Sequence, residues 1–172
     1  MADAITLLKK YRAKSVVLDA NLMVLYLIGR VNRRRIPGFK RSQNHTIEDF
    51  RLLERLLDWF GGLVSTPHVF SQATDLAKPY GHELRLVRSE LKALTGSTRE
   101  LYQNSQVLAH HPVFEQLGLA DSALAAEADR GALILTADIN LQVAIERRGK
   151  DALNFNHLRD IEFGTFRETA CL

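Results

Sequence analysis

The chain has 172 residues, 46% of them apolar, with only 4 Pro and 10 Gly, which fits one folded domain with a full core and excludes a disordered chain. Charges interrupt every apolar stretch before 18 residues, excluding a membrane-spanning helix, and a single cysteine, Cys171, excludes a disulfide framework and a thiolate zinc site. Net charge is +3, from 23 basic and 20 acidic residues, too mild to identify a polyanion partner on its own.

The opening Met1-Ala-Asp-Ala-Ile-Thr carries an acid where a secretory leader wants a base, so a cytoplasmic location is expected. Residues 15–19 are β-branched and apolar and read as a buried strand, followed by a helix from Ala20 to about Gly29. Next come Arg30, Arg33, Arg34, Arg35, Lys40 and Arg41, six cations within twelve residues and no acid among them. Pro37-Gly38 and Phe39 make this stretch, at about 30–45, an expected loop that is either a solvated surface or a grip for phosphates. Thr46 and Asp49 have capping-box spacing ahead of a helix whose apolar positions Ile47, Phe50, Leu53, Leu56, Leu57 and Phe60 follow the helical period, until Gly61-Gly62 stops it.

Leu63-Val64-Ser65 predicts a second strand, and Thr66-Pro67 a helix start with proline at its first position. Two or three helices fill residues 67–110, with breaks near Lys78-Pro79 and Gly96-Ser97. A helix from Ala120 to Arg130 leads into a strand over 132–136, then a helix over 139–148 ends at Gly149. Ala152 to Phe155 reads as a further strand and Ile161 to Phe166 as an edge strand. Strands alternating with helices predict one α/β domain over 1–172 with a mostly parallel sheet of four to five strands, covered on both faces.

Two of these strands end alike: Val16-Val17-Leu18 runs into Asp19-Ala20-Asn21, and Leu133 to Thr136 runs through Ala137 into Asp138-Ile139-Asn140. A third acid, Asp121, opens the helix before the second of them. Each acid taken singly reads equally as an N-cap. Together they read as a cluster at the carboxyl edge of the sheet, where open α/β folds gather ligands. Unit charges 4 Å apart repel by about 1 kcal/mol in water and about 4 kcal/mol at an effective dielectric near 20, so the cluster makes sense around a cation. Hard oxygen donors favour Mg²⁺ or Mn²⁺, which activate water and neutralise a leaving oxygen in phosphodiester hydrolysis. Asn21, Thr136 and Asn140 stand where they would orient the acids, and the scattered histidines are not expected to bind metal. Charge crowding further predicts that Asp19→Asn or Asp138→Asn leaves the metal-free protein as stable or stabler. The basic run is expected to rim the acidic site and guide a nucleic acid to it.

Four stretches carry a resemblance: Val16 to Asn21; Thr66-Pro67-His68-Val69; Gly118-Leu119-Ala120-Asp121-Ser122-Ala123; and Gly131-Ala132-Leu133-Ile134-Leu135-Thr136-Ala137-Asp138. In order and spacing the chain resembles the PIN-domain nucleases, a family that includes ribonuclease toxins of bacterial toxin-antitoxin pairs. The resemblance implies a three-layer α/β/α sandwich. It also implies metal binding by Asp19, Asp121 and Asp138, and RNA cleavage by metal-activated water. RNA would then be the partner, with DNA as an alternative, an antitoxin or other protein as a second partner, and a homodimer as the assembly.

One departure stands out, because the helix after Thr66-Pro67 contributes a glutamate in the family and Gln72 aligns there, with Asp75 one turn on. Gln72 still has an oxygen to offer beside the acids, but the lost charge raises the alternative of a catalytically impaired module that binds RNA or protein. A different scheme, with Asp19 as a phosphoryl-accepting nucleophile, wants a second acid two residues later, where Asn21 stands. Arg33, Arg34, Arg35, Lys40 and Arg41 are the expected phosphate contacts.

Overall fold

A computed structural model describes residues 3–159 of the chain. Ten helices and five strands are present among them: α1 (Ala4–Lys10), β1 (Ser15–Leu18), α2 (Ala20–Asn32), α3 (Ile47–Trp59), β2 (Gly62–Ser65), α4 (Pro67–Leu76), α5 (His82–Ser97), β3 (Arg99–Glu100), α6 (Ser105–Leu108), α7 (Phe114–Leu117), α8 (Leu119–Asp129), β4 (Leu133–Thr136), α9 (Ile139–Glu146), β5 (Ala152–Asn154) and α10 (Phe155–Leu158). The strands form one all-parallel sheet in the order β3-β2-β1-β4-β5 with helices against it, consistent with the three-layer α/β/α sandwich. No helix of the described residues is long and apolar enough to cross a membrane.

The two strands at the centre explain their own position. Val16, Val17 and Leu18 of β1 pair with Leu133, Ile134 and Leu135 of β4, and all six side chains are fully buried. Such unbroken apolar runs suit a strand covered on both faces. Because all strands point the same way, the residues that follow β1, β2, β3 and β4 emerge along one edge of the sheet. In register, Val17 pairs with Val64 and Val64 with Arg99, so Asp19, Thr66 and Leu101 lie level with one another across three strands.

Several boundaries differ from the sequence expectation. The first predicted helix does not stop at Gly29 but continues to Asn32, since Gly29 is a packing residue: a Cβ there would lie 2.1 Å from the Phe50 ring of α3. Of the expected basic loop, residues 39–46 are turns and irregular chain, while Arg33–Gly38 form a 3₁₀ helix, capped by the Asn32 side chain on the Arg34 N–H and closed around buried Ile36. The capping box of Thr46 and Asp49 forms as the spacing predicts, with both hydrogen bonds made.

Phe155 leaves the predicted strand because the Asn154 side chain accepts from the Asn156 N–H and starts α10. β3 has only two residues, both charged and exposed, and so carries no apolar signal. The expected edge strand at 161–166 lies outside the described residues.

Candidate functional site

The acids at the strand ends are caps and cluster members at once. Asp19 caps α2, its Oδ1 accepting from the Leu22 N–H at 2.7 Å. Its Oδ2 accepts from the Thr136 hydroxyl at 2.5 Å and from the Ala137 N–H at 2.9 Å, joining the end of β1 to the end of β4. Thr136 in turn accepts from the Asp138 N–H at 2.9 Å, and Asp138 caps α9 through Oδ1, which takes the N–H groups of Asn140 and Leu141. The turn between the two acids is held from behind by Asn156, whose amide donates to the Ala137 carbonyl.

Asp121 differs, being three residues past the Gly118 cap, in the first turn of α8, rather than the cap itself. It is half-buried, and its carboxyl is pushed up from 3.8 to about 7 by burial and then by the negative fields of Asp19 and Asp138, with no hydrogen bond to a described residue opposing them. Asp19 is buried almost completely, and its carboxyl is raised as well, by burial first and by Asp138 last, against the three hydrogen bonds that favour its charged form. Three carboxyls, from the ends of β1 and β4 and from α8, therefore act on one another at the carboxyl edge.

The three share a field without being gathered into a ligand shell: among the described residues no group of three or more His, Cys, Asp or Glu stands ready to hold a metal ion. The donor set nonetheless fits a hard divalent cation. Asp121 offers both oxygens and Asp138 its Oδ2, each without a hydrogen bond to a described residue, while Asp19 has a spare lone pair on Oδ1.

The remaining predicted residues divide. Thr136 is fully buried and couples Asp19 to Asp138, as expected of an orienting residue. Asn140 helps only through its backbone N–H, and the Asn21 and Asn140 side chains are exposed and take no part in the hydrogen bonds around the acids. Gln72 is exposed on α4, a helix that packs against α2 and α8, and it contributes no charge to the acids. Asp75 is exposed and paired with Lys78 at 2.7 Å. The expected relief of charge crowding by Asp19→Asn meets an opposing cost, because each carboxylate oxygen faces at least one donor and an amide NH₂ would oppose it.

The basic run starts away from the acids. Arg30 follows Asp19 by eleven residues of helix, a rise of about 16 Å, so the run begins at the opposite end of α2. Arg30 lies 3.4 Å from Glu90, Arg33 3.3 Å from Glu54 and Arg35 2.9 Å from Glu83, acids supplied by α3 and α5. Arg34, Lys40 and Arg41 are exposed and make no ion pair with a described residue. A groove of about 530 Å³ between α2 and α3 is lined by Tyr26, Arg30, Arg51, Glu54, Arg55 and Asp58.

Two features of the edge escaped the sequence reading. His68, at the start of α4, lies 2.9 Å from the Ser105 hydroxyl, and its Nδ1 is buried without a partner. Gln103, 6% exposed, donates to the Ala123 carbonyl and to Glu127 and so fastens the segment after β3 to α8. His68 lies in the Thr66-Pro67-His68-Val69 stretch, but nothing in that stretch marks a role for its side chain, and Gln103 belongs to no motif; only the folded path of the chain reveals their contacts. No protein-family model matches the chain, and a search of curated proteins finds no match.

Proposed function

We propose that this chain is a metal-dependent endoribonuclease of the PIN type, with Asp19, Asp121 and Asp138 holding Mg²⁺ or Mn²⁺. The observation that carries the reading is the convergence of three acids from separate elements at the carboxyl edge of a parallel sheet, one of them half-buried, free of hydrogen bonds to described residues and raised to about 7 by burial first and then by the fields of the other two. Crowding of this kind costs stability and suits a site built to receive positive charge. Bound there, the ion supplies an activated water and neutralises charge on the leaving oxygen. Thr136 and the Ala137 N–H hold Asp19 in a fixed orientation, and the α9 cap does the same for Asp138. Asp121 gives up its proton to become a ligand, and Gln72 assists at most through its amide oxygen.

Incubation of the protein with mixed RNA in Mn²⁺, with an EDTA control, tests this. Cleavage that EDTA and Asp121→Asn both abolish supports the reading, and cleavage that survives either defeats it. A second reading, an impaired module of the same fold that binds RNA or protein, is favoured by exposed Gln72 in place of an acid. Under that reading Gln72→Glu switches cleavage on, and an unchanged inactive protein counts against it.

A further inference from the structure

Tyr102 follows β3 at the same carboxyl edge as the acids and is 84% exposed, although the residues on either side of it are pinned. Before it, the Leu101 N–H donates to the Ser65 carbonyl at 2.8 Å, extending the sheet by one residue. After it, the buried Gln103 amide donates to the Ala123 carbonyl at 3.1 Å, two residues along α8 from Asp121. Leu101 is level with Asp19 across β2, which puts Tyr102 about two strand spacings, or roughly 10 Å, from Asp19. An aromatic ring of this size is normally turned into the core or an interface, because burying it is favourable. Here the backbone is fastened on both sides and the ring is held out.

An exposed ring carried on a pinned backbone beside the proposed nuclease site offers a free aromatic face to a nucleic acid. We infer that Tyr102 is a stacking platform for an unpaired base of the substrate, positioning the adjoining phosphate toward the acidic edge. The inference rests on the nuclease reading for its substrate, but not on cleavage. Stacking needs only a π face and so tolerates any base, and it requires that the base be out of a duplex. Tyr102 is then a positioning residue, acting on affinity and placement rather than on the reacting atoms.

Fluorescence anisotropy of a labelled single-stranded oligoribonucleotide, in EDTA so that nothing is cut, tests it. Tyr102→Ala is expected to weaken binding about tenfold while Tyr102→Phe stays within twofold of the parent. The same oligomer with scattered abasic positions should lose its sensitivity to Tyr102→Ala, a pattern that a structural defect does not produce. Since the side chain is mostly exposed, both variants should keep the parent's melting temperature.

Tyr102→Ala protein that binds as the parent does overturns the inference and returns the ring to a protein partner, and a parent that binds no RNA overturns it too. The two readings fail separately. Tyr102-dependent binding without cleavage in Mn²⁺ upholds the platform and sinks the nuclease. Cleavage with KM unchanged by Tyr102→Ala does the reverse.

Discussion

A carboxyl that keeps its proton up to about pH 7 makes stability fall where most carboxylates make it rise. For Asp121 the folded value lies above the ordinary 3.8, so the folded state binds the proton more tightly than the unfolded state does. The resulting penalty is absent below about pH 4, grows between 4 and 7, and is complete above 7. A rise from 3.8 to about 7, at about 1.36 kcal/mol per pH unit, sets its ceiling near 4 kcal/mol. In EDTA, Asp121→Asn is expected to stabilise the protein at pH 8 by up to that amount and to leave it unchanged at pH 4. Urea unfolding at the two pH values checks this, and equal stability at pH 8 would mean that neither burial nor the neighbouring acids raise the Asp121 carboxyl. Asp19→Asn relieves a charge penalty too, since that carboxyl is also raised, but it sets an amide against one of the Leu22, Thr136 and Ala137 donors at a cost of about 1 to 3 kcal/mol, so it is expected to stabilise less than Asp121→Asn. Thus two acids of one cluster, alike in the sequence, differ in what their removal costs.

Among the elements, the 3₁₀ turn and the residues after it separate structural cations from available ones. Arg33 and Arg35 are held by Glu54 and Glu83, whereas Arg34, Lys40 and Arg41 pair with no described residue. If the available three contact phosphates, replacing them together with alanine should lower the slope of log K against log salt for single-stranded RNA by about 2, at about 0.7 per contact. Arg33→Ala and Arg35→Ala should change the slope little and stability more; the reverse ranking would assign the phosphates to the paired residues. The sequence announced the run but not this division, since Glu54, Glu83 and Glu90 are remote in the chain. It was most legible where local chemistry decides the outcome: the capping box at Thr46, the proline start at Pro67, and the buried runs of β1 and β4. It failed where tertiary packing decides, as at Gly29, which fits against Phe50 instead of ending its helix, and at β3, whose two charged residues pair only because β2 offers an edge. The acidic site falls between these cases. The repeated Asp-x-Asn endings located it, yet the asparagine side chains in them proved idle, and the orienting work passes through Thr136 and the Ala137 N–H.

For the molecule as a whole, these local effects meet in one linkage between folding, protons and metal. Anything that binds the folded state alone stabilises it by RT ln(1 + [L]/Kd), about 2.7 kcal/mol at a hundred times Kd. For a chain of this size that is a rise in Tm of about 5 to 10 °C. A divalent ion among Asp19, Asp121 and Asp138 must also displace the proton that Asp121 holds up to about pH 7, so binding releases protons and weakens in acid. Mn²⁺ should therefore raise the parent's Tm clearly at pH 8 and much less at pH 5, although the metal-free protein is the more stable of the two at pH 5. Asp121→Asn should lose most of the shift at pH 8 while starting from a higher metal-free Tm. Thermal unfolding of both proteins at both pH values, with and without Mn²⁺, reads all four quantities at once. A shift of equal size in parent and variant would move the ion away from the sheet edge and leave two helix caps and a first-turn acid that happen to crowd one another.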